Sequence, residues 1–437
     1  MFPQPHSALP LPPRPSIERY RKIAKDLVKA CRSGEPGSIR SWAEQWVATL
    51  VELSALSVTP HLPVNIDEWV DDVASFARRK LLNGTPGSRT CSLADAQFVI
   101  ARSHGFQSWP KFTKHLEAIA QSSSPASQFE AAADAIVSGD LSTVRRLLRE
   151  DPKLARARSA REHGATLLHY VAANGVEGYR QKTPPNIVEI TEELLRAGAD
   201  VDATAELYGA ACTTLGLAAT SVHPEHAGVQ EALLRILLTH GAEVDRPASA
   251  SRQQSMIEAC LANGQPRAAR FLAENGARVS FAGAAGLGRA DLIESFFSGG
   301  RSRPEPTPKQ LEEGFLYACR YGHARVVEFL LEKGADLAAV AGDGQTGLHL
   351  AAIGGHLDTV TMLLRHGAPL EAENAYGGTV LGQTLWSAAH DGDPDRYIAI
   401  LEALVTAGAQ LPERYASISA RLDAWLERHG SAPGNTG

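Results

Sequence analysis

The amino-acid sequence predicts an all-α fold, an elongated solenoid of stacked helical hairpins preceded by a separate N-terminal helical domain. With 437 residues the chain is too long for one compact core, so it must form several domains or an extended array. Aromatic residues make up only 6% of the chain, so the core must be built from Ala, Leu and Val, which suits close helix packing. A glycine-containing motif also recurs about every 33 residues, which is typical of a helical repeat array.

The part of the chain before residue 131 shows no repeat. Residues 1–15 are rich in proline and are therefore predicted to be a disordered tail. They have neither the basic start nor the apolar run of a signal peptide, so we do not expect one. Amphipathic stretches predict an N-terminal helical domain over residues 16–120. The Ser-rich residues 121–130 are expected to form a linker or kink. The tryptophans expected at the core of the helical domain are Trp42, Trp46, Trp69 and Trp109.

Six basic residues in the first predicted helix raise the question of nucleic-acid binding. A solvated helix face explains them more simply, and a net charge of −6 gives no field that would attract a polyanion. No apolar run approaches the roughly 18 residues that span a bilayer. We therefore expect neither a nucleic acid nor a membrane as a partner. The basic residues are Arg19, Arg21, Lys22, Lys25, Lys29 and Arg32.

Two phased glycine signals predict a repeat array over residues 131–410. "LLEKGADLA" and "LLRHGAPLE" each end a predicted helix in Gly-Ala, and their glycines, Gly334 and Gly367, lie one repeat length apart. A second glycine precedes each by 12 residues, as Gly355 precedes Gly367. This spacing predicts a hairpin whose first helix ends at a left-handed glycine and whose second helix is closed by the Gly-Ala. One such hairpin cannot bury its apolar face alone, so we expect about eight stacked pairs, closed by a capping helix over residues 411–430.

The stretch "DGQTGLHLAAIGGHLDTVTMLLRHGAPLE" closely resembles the ankyrin repeat, with its Gly-x-Thr-x-Leu-His-x-Ala-Ala core, and "GATLLHYVAANG" is a second good copy. The resemblance covers about two thirds of the chain. It implies that the protein binds a partner protein through its fingers and concave groove, with no catalysis and no cofactor. His169 and His349 occupy the histidine position of the motif, where we expect them to stabilise a turn by bonding nearby backbone groups.

Two repeats depart from this spacing. The interval from Gly175 to Gly198 is nearly twice the regular one, and Val222, in the glycine position of the next repeat, is also too far from Gly241. The inserted segments, near residues 176–186 and 223–229, fall in the turn between paired helices and should project side by side from one edge. We interpret them either as neutral decoration or as a built-out recognition surface. The candidate partner-binding residues are Tyr179, Arg180, Gln181, Lys182, His223 and His226, together with Tyr208 and Tyr376 on the predicted fingers.

Sequence motifs for catalysis or metal binding are missing. The phosphate-loop, Gly-x-Ser-x-Gly, His-Glu-x-x-His and kinase signatures do not occur. Asp391, Asp393, Asp395 and Glu402 have the spacing of a calcium loop, but Arg396 stands where the turn needs glycine, and the scattered histidines lack zinc-ligand spacing. We therefore expect no metal.

Cysteine usage predicts the compartment. The five cysteines are scattered and contain no Cys-x-x-Cys, so we expect reduced thiols and a cytoplasmic location. Cys260 and Cys319 fall at matching small-residue positions of the repeat, where a thiol packs like alanine.

The favoured hypothesis is therefore a monomeric, non-catalytic scaffold for an unidentified protein partner. The competing hypothesis is a ligand sensor or enzyme in which the N-terminal domain and the inserted segments enclose a pocket. A convergent polar cluster with perturbed ionisation would favour the second.

Overall fold

The structure, a computed structural model, describes residues 2–54, 66–82, 91–246, 255–297 and 305–433. It divides into two compact units, Met1–Gln253 and Gln254–Gly437. The all-α prediction is confirmed, since helices dominate both units and the strands within the described ranges form only two short pairs. The degenerate repeat copy at Gly300 lies outside the described residues.

The first unit begins with helices of the N-terminal region and continues into helical pairs. Its helices are α1 (Ile17–Ser33), α2 (Ser38–Ser54), α3 (Ile66–Leu82), α4 (Leu93–Ser103), α5 (Trp109–Ile119), α6 (Pro125–Ser138), α7 (Leu141–Glu150), α8 (Leu167–Tyr170), α9 (Ile187–Arg196), α10 (Thr214–Ala219), α11 (Val222–His226) and α12 (Gln230–Thr239), with strands β1 (Thr204–Leu207) and β2 (Ala210–Thr213) and 3-10 turns at Pro5–Ser7, Pro152–Arg156 and Gly178–Arg180.

Helices α1 to α5 share one hydrophobic core. Helix α1 starts at the N-cap Ser16, whose hydroxyl accepts from the Arg19 amide, and ends at Gly34 in the left-handed region. Its buried side chains recur at helical spacing and face an aromatic centre in which Tyr20 packs edge-on against Phe112. Of the four tryptophans predicted for this core, Trp42, Trp46 and Trp69 are buried and Trp109 is partly exposed.

The proline-rich N-terminus differs from the disordered tail predicted for residues 1–15. Leu9 is fully buried; its amide donates to the Ser103 carbonyl at 2.7 Å, and its carbonyl lies 3.0 Å from His104 Nδ1. Phe2 packs edge-on against Phe76. Proline enrichment alone suggests disorder, but two spaced apolar side chains anchor this segment to the helical core.

A disulfide contradicts the prediction of reduced cysteines. Cys31, near the end of α1, is bonded to Cys91, just before α4, with their Cα atoms 5.9 Å apart. Residues that are 60 positions apart in sequence carry no spacing signal, so only the folded helices bring them together. The cytoplasmic location stays a prediction from the sequence. Cys212, Cys260 and Cys319 are free thiols.

The helical pairs of the first unit begin inside the predicted linker. Helix α6 starts at Pro125, so only the first part of residues 121–130 is a turn. Its C-cap Gly139 has a φ of 80°, in the left-handed region, as the repeat pattern predicts. The pairs are α6 with α7, α8 with α9, and α10 with α12.

The second unit consists of stacked pairs and a closing helix. The pairs are α13 (Met256–Ala262) with α14 (Pro266–Glu274), α15 (Phe281–Gly286) with α16 (Ala290–Phe297), α17 (Pro308–Arg320) with α18 (Ala324–Glu332), α19 (Gly347–Ile353) with α20 (Leu357–Arg365), and α21 (Val380–His390) with α22 (Ile398–Thr406), followed by α23 (Ala420–Arg428), strands β3 (Arg414–Tyr415) and β4 (Ala432–Pro433), and a 3-10 turn at Pro394–Tyr397.

Neighbouring pairs in the second unit approach closely where a glycine of one pair lies against a histidine ring of the next. Gly322 has a φ of 73°, and a side chain there would meet the ring of His356 at 2.4 Å. Nε2 of that ring lies 2.9 Å from the Arg320 carbonyl, so the histidine satisfies a helix end of the preceding pair. His323 does the same for Gly286, at 3.0 Å.

Helix α23 covers the end of the stack. Leu422, Trp425 and Leu426 are buried in the same hydrophobic core as Ile400 and Leu404 of α22. The Trp425 indole nitrogen also donates to Glu402 at 2.7 Å. The helix lies within residues 411–430, where the sequence predicts a cap, and removes the last apolar face from water.

Candidate functional site

The repeat histidines bond nearby backbone groups, as predicted, because the Thr166 and Thr346 amides donate to Nδ1 of His169 and His349, and they also join adjacent repeats. Nδ1 of His349 lies 2.9 Å from the Thr346 hydroxyl, and its Nε2 lies 3.2 Å from the Gly378 carbonyl of the next finger. His169 makes the equivalent contacts, with Thr166 and with the Cys212 carbonyl. Each ring thus caps its own helix and bonds the following finger, which is a structural role.

The first inserted segment is folded inward, onto helix α6. Glu177 is fully buried and Arg180 is 4% exposed. Arg180 Nη2 donates to Glu130 Oε2 at 2.8 Å, and its Nε donates to Asp134 Oδ1 at 2.8 Å. Arg161, from the loop before α8, donates to Glu130 Oε1 at 2.6 Å, and its Nε lies 2.9 Å from Glu177 Oε1. We call Glu130, Arg161, Glu177 and Arg180 the buried ion cluster.

The charges of the buried ion cluster balance, with two carboxylates against two guanidinium groups. Burial alone would raise the pKa of Glu130, but Arg161 and Arg180 outweigh it and lower that pKa to about 2. The same opposition holds the pKa of Glu177 well below its ordinary value. Burial lowers the pKa of the neighbouring His115 to about 4, so this ring is neutral at pH 7 and adds no third cation. The cluster is therefore charged but internally neutralised.

Three of the predicted contact residues in this segment are thus held by the protein itself. Arg180 belongs to the buried ion cluster, Tyr179 accepts a hydrogen bond from Arg161 at 3.3 Å, and Gln181 donates to the Val176 carbonyl at 2.7 Å. Of the four candidate contact residues in this segment, only Lys182 is exposed. The prediction that this insert projects from an edge is wrong, because its polar side chains find buried partners on α6 and near α8.

The second inserted segment forms the short helix α11. Pro224 is the buried residue of this helix, and Gln230 donates to the Ser221 carbonyl at 3.1 Å, which closes the turn. His226 is exposed and His223 is partly exposed. Both histidines stay candidate partner-binding residues, and their surroundings do not indicate the chemistry of a partner.

Tyr208 stands at the tip of the β1–β2 hairpin. It has a φ of 52° and is followed by Gly209 at 71°, the combination that a tight two-residue hairpin turn needs. Positive φ is strained for a tyrosine, and two contacts offset it. The hydroxyl donates to Asn174 at 2.6 Å, and the ring stacks on His6 at 6.1 Å. Tyr208 keeps 45% of its surface exposed.

Tyr376 is the most exposed large hydrophobic side chain among the described residues. It is 85% exposed, at the tip of the finger between α20 and α21. Asn374 fixes this tip, because its Oδ1 accepts from the amides of Tyr376 at 2.9 Å and Gly378 at 3.0 Å. The finger also bonds its neighbour through Ala375, whose amide donates to the Asp343 carbonyl at 2.8 Å. A rigid turn therefore presents an unpacked aromatic ring to solvent.

Sequence reasoning missed a second exposed aromatic residue, Trp386. It is 59% exposed on α21 and stacks on His390 one turn later, with ring centroids 4.1 Å apart. Asn374 Nδ2 donates to Gln383 Oε1 at 2.6 Å, which joins the finger to this helix one turn before Trp386. The signal was available, because Gly382, Trp386 and His390 recur every four residues opposite the apolar positions of α21. We call Tyr376, Gln383, Trp386 and His390 the aromatic surface.

The carboxylates with calcium-loop spacing have other partners. Asp391 lies 2.8 Å from Arg396, Asp395 accepts from Ser419 at 2.8 Å, and Glu402 accepts from Trp425. Within the described ranges, no group of three or more His, Cys, Asp or Glu side chains has the arrangement to hold a metal ion. None of the described helices has both the length and the apolar character that crossing a bilayer demands.

Stacked helical pairs joined by finger turns define a helical repeat protein. Residues 285–413 match the family model for ankyrin repeats, in three copies, and residues 163–206 match the model for a single ankyrin repeat. The chain contains ankyrin repeats, as its sequence indicated. The first match includes the aromatic surface, and the second includes part of the buried ion cluster. Ankyrin repeats suggest a role in protein–protein interaction.

Proposed function

We propose that this chain is a non-catalytic interaction module that binds a partner protein through the aromatic surface of its second unit. The observation that carries the proposal is the 85% exposure of Tyr376 on a turn fixed by Asn374. The apolar surface of an exposed aromatic ring has an unfavourable hydration free energy. A partner that covers the ring removes this surface from water and so gains free energy of binding. Tyrosine and tryptophan are also the residues that most often dominate interface energies.

Rigidity supports the same surface. Asn374 is 6% exposed and binds both the finger backbone and Gln383, so the tip and the helix face are joined by fixed hydrogen bonds. A side chain held in place before binding loses little conformational entropy when a partner arrives. The ring of His390 stacks on Trp386 and restricts the motion of the indole.

The competing hypothesis, a pocket between the N-terminal helices and the inserted segments, has less support. A polar cluster does lie there, but its guanidinium and carboxylate groups pair with one another and are almost entirely buried. A cluster that neutralises itself leaves little for a substrate to bind. The absence of catalysis, the monomeric state and the lack of a nucleic-acid partner stay predictions from the sequence.

Quantitative affinity purification from the native host tests the proposal. The full chain carrying Tyr376→Ala and Trp386→Ala should lose the proteins that the unsubstituted chain enriches, while its melting temperature stays the same. The matched control is Arg365→Ala with His366→Ala, two exposed residues at the end of α20. An unchanged set of enriched proteins in the aromatic double variant would contradict the proposal.

A further inference from the structure

Helix α1 bears a groove that the interaction role of the second unit does not use. The groove has a volume of about 670 Å³ and is lined by Lys25, Val28, Lys29, Arg32 and Ser33 of α1 and by Leu93 of α4. These basic residues are among those that the sequence assigns to a solvated helix face. In the structure all three of them are exposed, as that reading expects, and they also border a concave space with an apolar floor.

Among the described residues that line this groove, three are cations and none is an anion. Lys25, Lys29 and Arg32 are exposed. The nearby acidic side chain of α4, Asp95, is already engaged, since it lies 3.3 Å from Lys80 and accepts from the Ser92 hydroxyl. Like charges held along one helix repel one another, and an anionic ligand would relieve that repulsion.

The floor of the groove is apolar. Val28 is 9% exposed and Leu93 is 42% exposed, which makes Leu93 one of the most exposed leucines in the described residues. The Cys31–Cys91 disulfide joins the end of α1 to the start of α4, so the two walls are covalently tied beside Arg32 and Leu93. This bond limits how far the end of α1 and the start of α4 can separate at this end of the groove.

We infer that this groove binds an acidic peptide segment that carries an aliphatic side chain. Lys25 and Arg32 are seven residues apart on the helix, a rise of about 10.5 Å, which carboxylates spaced over about three extended residues can follow. The aliphatic side chain would cover Leu93. A nucleic acid fits less well, because three cations neutralise few phosphates and the described residues that line the groove include no ring on which a base could stack.

Fluorescence anisotropy of the full chain tests this inference. The probe is a fluorescein-labelled peptide, EDLEDLEDLE, at roughly 0.05 M salt, where exposed charges are weakly screened. The charge-reversed peptide KKLKKLKKLK and a labelled single-stranded DNA of about 20 nucleotides are the comparison probes. We expect saturable binding of the acidic peptide, weaker binding of the DNA and none of the basic peptide.

Variants then locate the binding. Lys25→Glu with Lys29→Glu should weaken the acidic peptide about tenfold or more, and Leu93→Ser about threefold. The matched control, Arg19→Glu with Lys22→Glu, makes the same charge change on the same helix outside the groove and should weaken binding by less than about twofold. If the Glu variant melts early, Lys25→Gln with Lys29→Gln removes the charges without reversing them.

Three results would overturn the inference. The first is no saturable binding of the acidic peptide. The second is an equal loss in the control variant, which would show attraction by net charge alone. The third is tighter binding of the DNA with the same dependence on Lys25 and Lys29, which would make this a nucleic-acid groove.

Discussion

Replacing Arg180 by alanine should destabilise the first unit strongly, although Arg180 belongs to a segment that the sequence marks as an insertion. The side chain is 4% exposed and donates to Glu130 and to Asp134. Its guanidinium also lies 5.4 Å from the ring centre of Tyr179. Alanine would remove all of these contacts and leave the buried ion cluster with two carboxylates and one cation.

The magnitude follows from which partners remain. Removing one member of a buried ion pair costs about 3–5 kcal/mol, because the other charge stays buried without compensation. Arg161 still pairs with Glu130 and Glu177 after the change, and the Asp134 side chain is 63% exposed, so that its bond counts for little. We therefore expect the lower end, about 3 kcal/mol. For a unit of this size that corresponds to a fall in Tm of roughly 6–12 °C.

Thermal unfolding measures the loss, and hydrogen exchange locates it. Because the chain has two units, exchange should be followed by mass spectrometry on peptides that cover α5 to α9, where protection should drop. Lys182→Ala, an exposed cation two residues later, is the matched control and should leave the Tm unchanged. Adding Glu130→Gln to Arg180→Ala should recover part of the loss, because it restores the charge balance. If Arg180→Ala melts with the control, the insert is a loose surface loop after all.

Three further outcomes are expected. Leu363→Ala, at a fully buried position of α20, should cost about 2–5 kcal/mol in urea unfolding, and a near-neutral result would undermine the repeat register. Burial lowers the pKa of His104, His115 and His169 to about 3, 4 and 4, below the ordinary 6.5 that these groups regain on unfolding. Between the lowered pKa values and 6.5, the unfolded chain therefore binds more protons than the folded chain. The free energy of unfolding should fall as the pH drops from about 6.5 toward 4, and it should stay flat above pH 7. A stability that rises as the pH drops over that acid range would contradict this. Reducing the Cys31–Cys91 bond, which closes a 60-residue separation, should cost about 2–4 kcal/mol by calorimetry, and an identical melt with and without reductant would show that the two thiols are unpaired in solution.

The repeat array could be predicted from the sequence because its signals are local. A glycine such as Gly322 and the histidine that follows in the next repeat each perform a task set by the backbone around them, and Gly288 and His323 perform the same task one pair earlier. The histidine roles of His169 and His349 followed from the same logic and are confirmed. Period and residue type together specify such features without knowledge of the rest of the chain.

Features that depend on distant partners could not be predicted in this way. Arg180 is separated from Glu130 by 50 residues, and nothing in the inserted segment itself shows that its charges point inward. Composition likewise suggested disorder for residues 1–15, whereas the buried Leu9 depends on a carbonyl of α4. Charged side chains in a loop can either face solvent or pair with opposite charges elsewhere in the chain. The sequence does not show which, because such pairs form only when the fold brings the groups together.

Arg180 and Tyr376 differ in how the loop that carries each of them is stabilised. The first insertion nearly doubles the interval between the two glycines of its repeat, and ordering the added residues costs conformational entropy that only buried contacts offset. Such a segment is stable because its polar groups turn inward, so it has few left for recognition. The finger of Tyr376 has ordinary length and is fixed by Asn374, so its aromatic ring is not needed for folding. The partner contact proposed for the second unit is therefore best sought where the backbone is regular and a large side chain is left unpacked.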